Sequence, residues 1–318
     1  MRTVVICLSL ACFFLSQGGL ASADWLWTPK LGKWLNPKKA AKETPTLQLE
    51  FATRFWNEQK YERAQAEFAK LVHVFPQAPE APEAQYYVGR CAEEAGDYYA
   101  AFQAYRKVLQ VYPASMKTEE ILERQYRIGN LFFQGEKREL LGAKILSGID
   151  TAIEIYRAIV EDAPFSAQGP LALYKLGMAH KIQGDLQAAT DAFQRLVEEH
   201  PQHALVDDAT FQIADCSAKT NRAVAYDQSY ADEATREFQQ FAQEHPDSHL
   251  VPEAEARVDA LMDQRAQHDF EVAQFYERRQ VFHSARVYYE SIMQHYPRSQ
   301  WAVKAAEQLQ VLDGKVRK

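Results

Sequence analysis

Six prolines, each preceded at fixed distances by an alanine and an aromatic residue, constrain this chain more than any other feature of its sequence. They are Pro76, Pro113, Pro164, Pro201, Pro246 and Pro297. Twelve residues before each stands Ala64, Ala101, Ala152, Ala189, Ala234 or Ala285. Eight residues before each stands Phe68, Tyr105, Tyr156, Phe193, Phe238 or Tyr289. Apolar residues around these marks recur at helical spacing, as in Tyr98, Ala101, Phe102, Tyr105, Val108, Leu109 and Tyr112. Such a helix stops near its proline, which lacks an N–H and crowds the preceding turn. Alone it leaves an apolar stripe bare, so it must pack against copies of itself. The alanine methyl lets two helices cross closely, and the ring one turn later fills the space beside the crossing.

A second helix precedes each of these. A small residue marks it: Ala52, Gly89, Gly129, Gly177, Ala214 and Ala273. Each repeat is therefore a helix, a short turn and a helix, near residues 45–79, 80–116, 118–166, 168–203, 205–248 and 252–299. The prolines are spaced by 37, 51, 37, 45 and 51 residues. The shorter spacings and the order small residue, alanine, aromatic, proline resemble the tetratricopeptide repeat family. The fold class expected is all-α: a right-handed superhelical solenoid of about six helix pairs. The stretch Pro252–Gln280 has no breaker and reads as one helix of about 28 residues, about 42 Å long. A capping helix is expected near Ser299–Leu312, ahead of a short tail at 314–318.

Residues 1–23 read as a signal peptide. Arg2 gives the positive start, Val4–Leu15 the apolar run and Ala21-Ser22-Ala23 the cleavage site. Cys12 follows Ser9-Leu10-Ala11, a poor context for lipidation, so cleavage after Ala23 without a lipid is expected. The leader that follows, 24–44, holds three of the five tryptophans, Trp25, Trp27 and Trp34, and five lysines. Pro29, Gly32 and Pro37 forbid one long helix there. Tryptophan beside lysine suits a membrane interface or a partner, or the leader folds back to cap the first repeat. Both readings stay open.

Beyond Ala23 the chain carries 35 basic and 43 acidic residues. That balance does not suggest a nucleic-acid binder. Cys91 and Cys216 each stand two residues after a small residue, at equivalent sites of different repeats, and are expected to be buried and unpaired. Repeats three and five carry inserts, near Gly135–Ser147 and Asn221–Ser229, expected as loops on one edge.

Motifs for zinc proteases, hydrolase elbows, phosphate loops and dinucleotide binding are missing from the sequence. His200, His245 and His295 sit at ends of second helices, where an imidazole suits the helix dipole. No catalytic residue, cofactor or metal is expected, and the reading is non-enzymatic. Function then lies in surfaces. The first helices of a tetratricopeptide stack line its groove, which makes Trp56, Asn57, Tyr86, Arg90, Tyr126 and Asn130 the candidate peptide-binding residues. Arg90 suits a peptide carboxylate, the asparagines suit peptide backbone and the aromatics suit side chains. Trp25, Trp27 and Trp34 are the candidates for membrane or partner docking.

The run Asp263, Ala266, Asp269, Val272, Ala273, Tyr276 and Arg279, with Ala285 and Tyr296-Pro297 after it, is similar to the end of the BamD family. That family serves the machine that inserts β-barrel proteins into the bacterial outer membrane. The resemblance implies a periplasmic scaffold, associated with the outer membrane, that binds unfolded outer-membrane protein segments and a β-barrel insertase. A second reading keeps the binding role and changes the process to cell division, as in the coordinator that works with the Tol system.

Overall fold

A computed structural model describes residues 26–28, 33–35, 40–140, 143–222 and 229–316. The signal peptide, Cys12, Trp25 and most of the second insert lie outside the described residues. The chain forms two compact units, residues 1–104 and 105–318.

In the first unit, β1 (Leu26–Thr28) pairs antiparallel with β2 (Lys33–Leu35), setting Trp27 opposite Trp34 along the backbone. The leader is thus a short hairpin. Three helices follow, α1 (Pro45–Asn57), α2 (Tyr61–Val74) and α3 (Ala81–Glu94). Helix α4 (Tyr98–Val111) carries the chain onward.

The second unit opens with α5 (Thr118–Phe133), then β3 (Arg138–Leu140) and β4 (Ala143–Leu146). The helices after it are α6 (Gly148–Asp162), α7 (Gly169–Gln183), α8 (Leu186–Glu199), α9 (Val206–Arg222) and α10 (Ser229–Glu244). It closes with α11 (Val251–Arg278), α12 (Phe282–His295) and α13 (Gln300–Val316). Within each unit helices pack on their neighbours in sequence. The fold is an all-α helical solenoid built from helix pairs. The first insert corrects one expectation. It is a hairpin with Glu139 opposite Lys144 along the backbone, not a loop.

Local chemistry explains the boundaries. Prolines stand in the first turns of α1, α3, α7 and α11, where their missing N–H has no helical partner to lose. The Thr44 hydroxyl accepts from the Leu47 N–H at 3.2 Å, and Asp97 and Asp185 cap α4 and α8 in the same way. All six second helices, α2, α4, α6, α8, α10 and α12, end two residues before their proline. The residue before proline is pushed out of the helical region, as at Phe75, Ala163, His200 and Tyr296.

The turn inside repeats one, two, four and six is as regular as their helices. Seven residues after the small residue the backbone turns left-handed, at Gly96 and Gly184 but also at Gln59 (φ 57°) and Gln280 (φ 62°). At each, that N–H bonds back three residues and the next N–H bonds back five, as in Gln59 to Trp56 and Lys60 to Phe55, both at 2.9 Å. This is a Schellman cap, which closes the first helix and aims the second.

The alanines and aromatics that define the repeats are buried in all six. The ring lies directly on the small residue of its own repeat. A Cβ on Gly129 would meet the Tyr156 ring at 2.8 Å, and one on Gly177 the Phe193 ring at 2.6 Å. Three buried glutamines, Gln48, Gln85 and Gln125, stand four residues before the small residue in repeats one to three. Gln48 donates to the Glu67 carbonyl at 3.0 Å and Gln85 to the Ala104 carbonyl at 3.1 Å, tying first helix to second.

Helix α11 runs 28 residues without a break, matching its expected length. It carries two separate cores. Ala254 near its start joins Phe211, Phe238 and Phe241. Ala266, Phe270 and Ala273 join Tyr289, Ile292 and Leu312. Cys91 and Cys216 are buried thiols. Burial pushes the Cys91 thiol up to about 12 and raises that of Cys216 as well, so both stay protonated at neutral pH. Among the described residues, no helix is long and apolar enough to cross a membrane.

Candidate peptide-binding groove

Three of the six candidate groove residues meet in the first unit. Trp56 is the fourth residue after Ala52 on α1; Tyr86 and Arg90 flank Gly89 on α3. Trp56 packs against Tyr61 and Tyr87, each with centroids 5.3 Å away, and Tyr87 stacks on Phe68 at 5.0 Å. The Arg90 guanidinium lies 5.2 Å from the Trp56 ring centroid and 6.0 Å from that of Tyr86. Such contacts hold a cation on aromatic faces. Its Nη1 donates to the Tyr86 hydroxyl at 3.1 Å and its Nη2 to Glu94 at 3.2 Å.

Tyr86, a candidate for surface contact, is only 2% exposed, and its hydroxyl accepts from Arg90. Trp56 is half-buried and Asn57 exposed, beside each other at the end of α1. The contact from Trp56 to Arg90 joins repeats one and two. Sequence periodicity did not give it, because the two side chains sit at different offsets from their small residues.

Tyr126 and Asn130 meet in the second unit. The Tyr156 hydroxyl donates to Asn130 Oδ1 at 2.8 Å, and the Tyr126 ring lies 6.0 Å from that of Tyr156. Burial raises the Tyr126 hydroxyl, with the Asn130 side chain opposing, and lifts Tyr156 far above the usual phenol range. Asn130 was expected to meet peptide backbone. Its amide oxygen ties α5 to α6. Of the docking candidates, only the backbones of Trp27 and Trp34 are described.

An ionic group that the sequence reading missed joins the first helices of repeats four to six. The Asp215 carboxylate on α9 lies 2.5 Å from Lys181 Nζ on α7, 2.8 Å from Lys219 Nζ and 4.0 Å from the Arg257 guanidinium on α11. Lys181 also bonds Gln212. Burial drives the Asp215 carboxyl upward, but hydrogen bonds from Lys181 and Lys219 outweigh it and hold the group below the ordinary carboxylate value. The signal was available in the register: Asp215 follows Ala214 as Arg90 follows Gly89. Farther along, a cleft of about 610 Å³ opens between α10, the middle of α11 and the α12–α13 turn. Gln239, Val258, Met262, Asp263, Tyr296 and Arg298 are among its walls.

A tetratricopeptide repeat family model matches residues 49–115. Among solved structures, a tetratricopeptide repeat protein from Parabacteroides merdae is 14% identical, covering 85% of this chain and 99% of that one, with a TM-score of 0.34. MamA from Desulfovibrio magneticus is 18% identical over 66% of this chain and 99% of that one, with a TM-score of 0.32. The C-terminal part of a repeat protein from Cytophaga hutchinsonii is 15% identical over 82% and 87%, with a TM-score of 0.35. No curated protein matches the chain. The YfiO family model, described as outer membrane lipoprotein, matches residues 146–314, more than half of the chain and the stretch that contains the long α11. This chain therefore belongs to the outer membrane lipoprotein family of BamD-type tetratricopeptide proteins.

Proposed function

We propose that the chain is a periplasmic, non-enzymatic scaffold for β-barrel insertion. Its N-terminal repeats hold extended segments of unfolded outer-membrane proteins. Its C-terminal repeats hold a β-barrel insertase. The observation that carries this reading is the family match over residues 146–314. The aromatic floor around Trp56 supports the first role, because it offers apolar faces beside one charge and suits chains of varied sequence. The cleft beside α11 supports the second, since concave sites of this size bury a partner's side chains. A signal peptide ending at Ala23 delivers the chain to the periplasm. Trp25, Trp27 and Trp34 with their lysines give it peripheral contact with the outer membrane.

Photo-crosslinking groups at exposed Asn57 and at Val287 on α12 test the two roles in intact envelopes. Position 57 is expected to capture newly made outer-membrane proteins and to lose them when synthesis stops. Position 287 is expected to capture a β-barrel insertase throughout. Capture of division proteins at both positions replaces this reading with the cell-division one.

A further inference from the structure

First helices pack against the second helix of the repeat before, as α3 does on α2, α7 on α6 and α9 on α8. Three positions spaced four apart form one stripe on such a helix: five and one before the small residue and three after it. In repeat four they are Ala172, Leu176 and His180, all buried, and His180 lies within electrostatic reach of Arg157 on α6. In repeat two Ala84 and Ala92 are buried, and in repeat three Ile128 and Phe132. Repeat one carries the same stripe as Leu47, Phe51 and Phe55, but among the described residues no helix precedes α1. Leu47 is 49% exposed, and Phe51 and Phe55 are half-buried. An end repeat ordinarily turns a polar face outward. This one is apolar and edged with cations. Lys42 Nζ lies 4.0 Å from the Phe51 ring centroid and the Arg63 guanidinium 4.6 Å from that of Phe55. The two rings meet edge to face at 5.1 Å. Lys42 is held in place by its own N–H, which donates to Gln48 Oε1 at 2.8 Å. Glu58, at the end of the stripe, is paired with Lys60 at 2.7 Å.

We propose that this outer face of α1 is a membrane-contact surface that meets anionic phospholipid. The inference rests on the reading that the leader brings the chain to the outer membrane, and it adds a second, separate contact. Two kinds of occupant fit an apolar stripe, another helix or lipid, and the cations decide between them. A helix seated as in the later repeats must push Lys42 and Arg63 off the ring faces they occupy. A lipid surface keeps both in use. Leu47 and the two rings enter the boundary between headgroups and acyl chains, while the cations extend to the phosphates. The stripe is also continuous with the leader, since Lys42 belongs to the leader and covers Phe51. One weak membrane signal holds a chain only marginally, and a second makes the attachment stable. The leader and the α1 stripe supply those two signals without an acyl chain.

The test uses the full chain after Ala23 carrying a bimane label at Leu47→Cys, or at Val303→Cys on α13 as an equally exposed control. Cys91 and Cys216 are buried and do not compete for the label. Vesicles are made of phosphatidylethanolamine with phosphatidylglycerol, or of phosphatidylcholine alone, with and without a doxyl-labelled lipid. On the anionic vesicles the label at 47 is expected to shift to the blue and to be quenched by doxyl lipid, and the label at 303 to stay unchanged. Lys42→Gln and Arg63→Gln should each weaken binding to anionic vesicles about fivefold and leave binding to neutral ones unchanged. If the chain sediments with vesicles while the label at 47 stays in water, the α1 surface is overturned and the leader reading stands. If the chain binds no vesicle, both fail. A label shielded without vesicles and exposed by deleting residues 24–36 assigns the stripe to the leader and overturns the proposal. A shift produced by soluble envelope proteins but not by vesicles gives the stripe to a protein and overturns it too. Equal melting temperatures across the variants exclude unfolding as the cause.

Discussion

The Phe193 ring covers Gly177 so closely that a Cβ there would meet Cε1 at 2.6 Å and Cζ at 2.7 Å. Alanine normally improves a helix over glycine by about 1 kcal/mol. Here Gly177→Ala must displace a fully buried ring, and overpacking of this kind costs about 1–3 kcal/mol. The substitution is expected to destabilise. Gly314→Ala, in the last turn of α13 with nothing within 4 Å of the new Cβ, is expected to stabilise slightly. Urea denaturation of both variants checks the contrast. A Gly177→Ala protein at least as stable as the parent would refute the close packing of ring on glycine.

Gln59 and Gln280 hold left-handed turns that Gly96 and Gly184 hold elsewhere. A side chain in that conformation is strained, and glycine is not. Gln59→Gly and Gln280→Gly should each raise stability, by about 0.5–1 kcal/mol, even though glycine gives the unfolded chain more freedom. The two sites are remote in sequence and share no partner, so their effects should add in the double variant. Thermal or urea melts of the three proteins measure this.

Acid should weaken the second unit in two steps. His180 is buried, and burial holds its pKa below the usual value, with Asp185 opposing and Arg157 reinforcing. The native state favours the neutral ring, so its contribution is complete above pH ~6.5 and is lost as pH falls toward the depressed folded value. Asp215 is also depressed, by Lys181 and Lys219 against burial. Its contribution is present above pH ~3.9 and is lost as pH falls further. Melting temperature should therefore be level from pH 8 to 7, decline below about 6.5, and decline again below about 4. His180→Gln should flatten the first decline and Asp215→Asn the second. A profile unaltered by His180→Gln would remove the histidine from the account.

The leader and the processing of the chain are tested together. Intact mass of the protein from envelope fractions should show a start at Asp24 and no acyl chain. A start at Cys12 carrying lipid would overturn that expectation. Deleting residues 24–36 should release the protein from outer-membrane fractions and leave its melting temperature unchanged. Retention in those fractions with a lowered melting temperature would assign the hairpin to capping the first repeat. Sensitivity of the association to salt separates a lipid surface from a protein partner, since exposed charges are screened beyond about 8 Å.

The repeat register was legible because each mark answers to a steric rule that acts within one repeat. Ala64 and its five counterparts must be small, Phe68 and its counterparts must be large, and each proline must follow its helix. Helix ends and the length of α11 came from the same rules. The site was less legible, because it is made between repeats. Trp56 reaches Arg90, and Lys181 reaches Asp215, only once the stack is built. Tyr86 read as a surface aromatic because amphipathic spacing does not distinguish a ring facing the groove from one facing a neighbouring side chain. Gln48, Gln85 and Gln125 do not stand out by residue type, since glutamine is mostly solvent-facing. Their common offset from the small residue was the available clue. The hairpin at Arg138–Leu146 was hidden by its brevity, since three- and four-residue strands carry almost no periodicity.

Helix α11 holds its two cores at a fixed spacing, since an uninterrupted helix of 28 residues spans about 42 Å. Between Ala254 and Ala266 no side chain of the helix is fully buried, although Val258 and Leu261 still pack against the first core. The helix is a ruler. A partner that grips the fifth repeat and the terminal helices together is selected by its length. Adding or removing a few residues along this stretch would change both the span and the rotation at which that partner must fit.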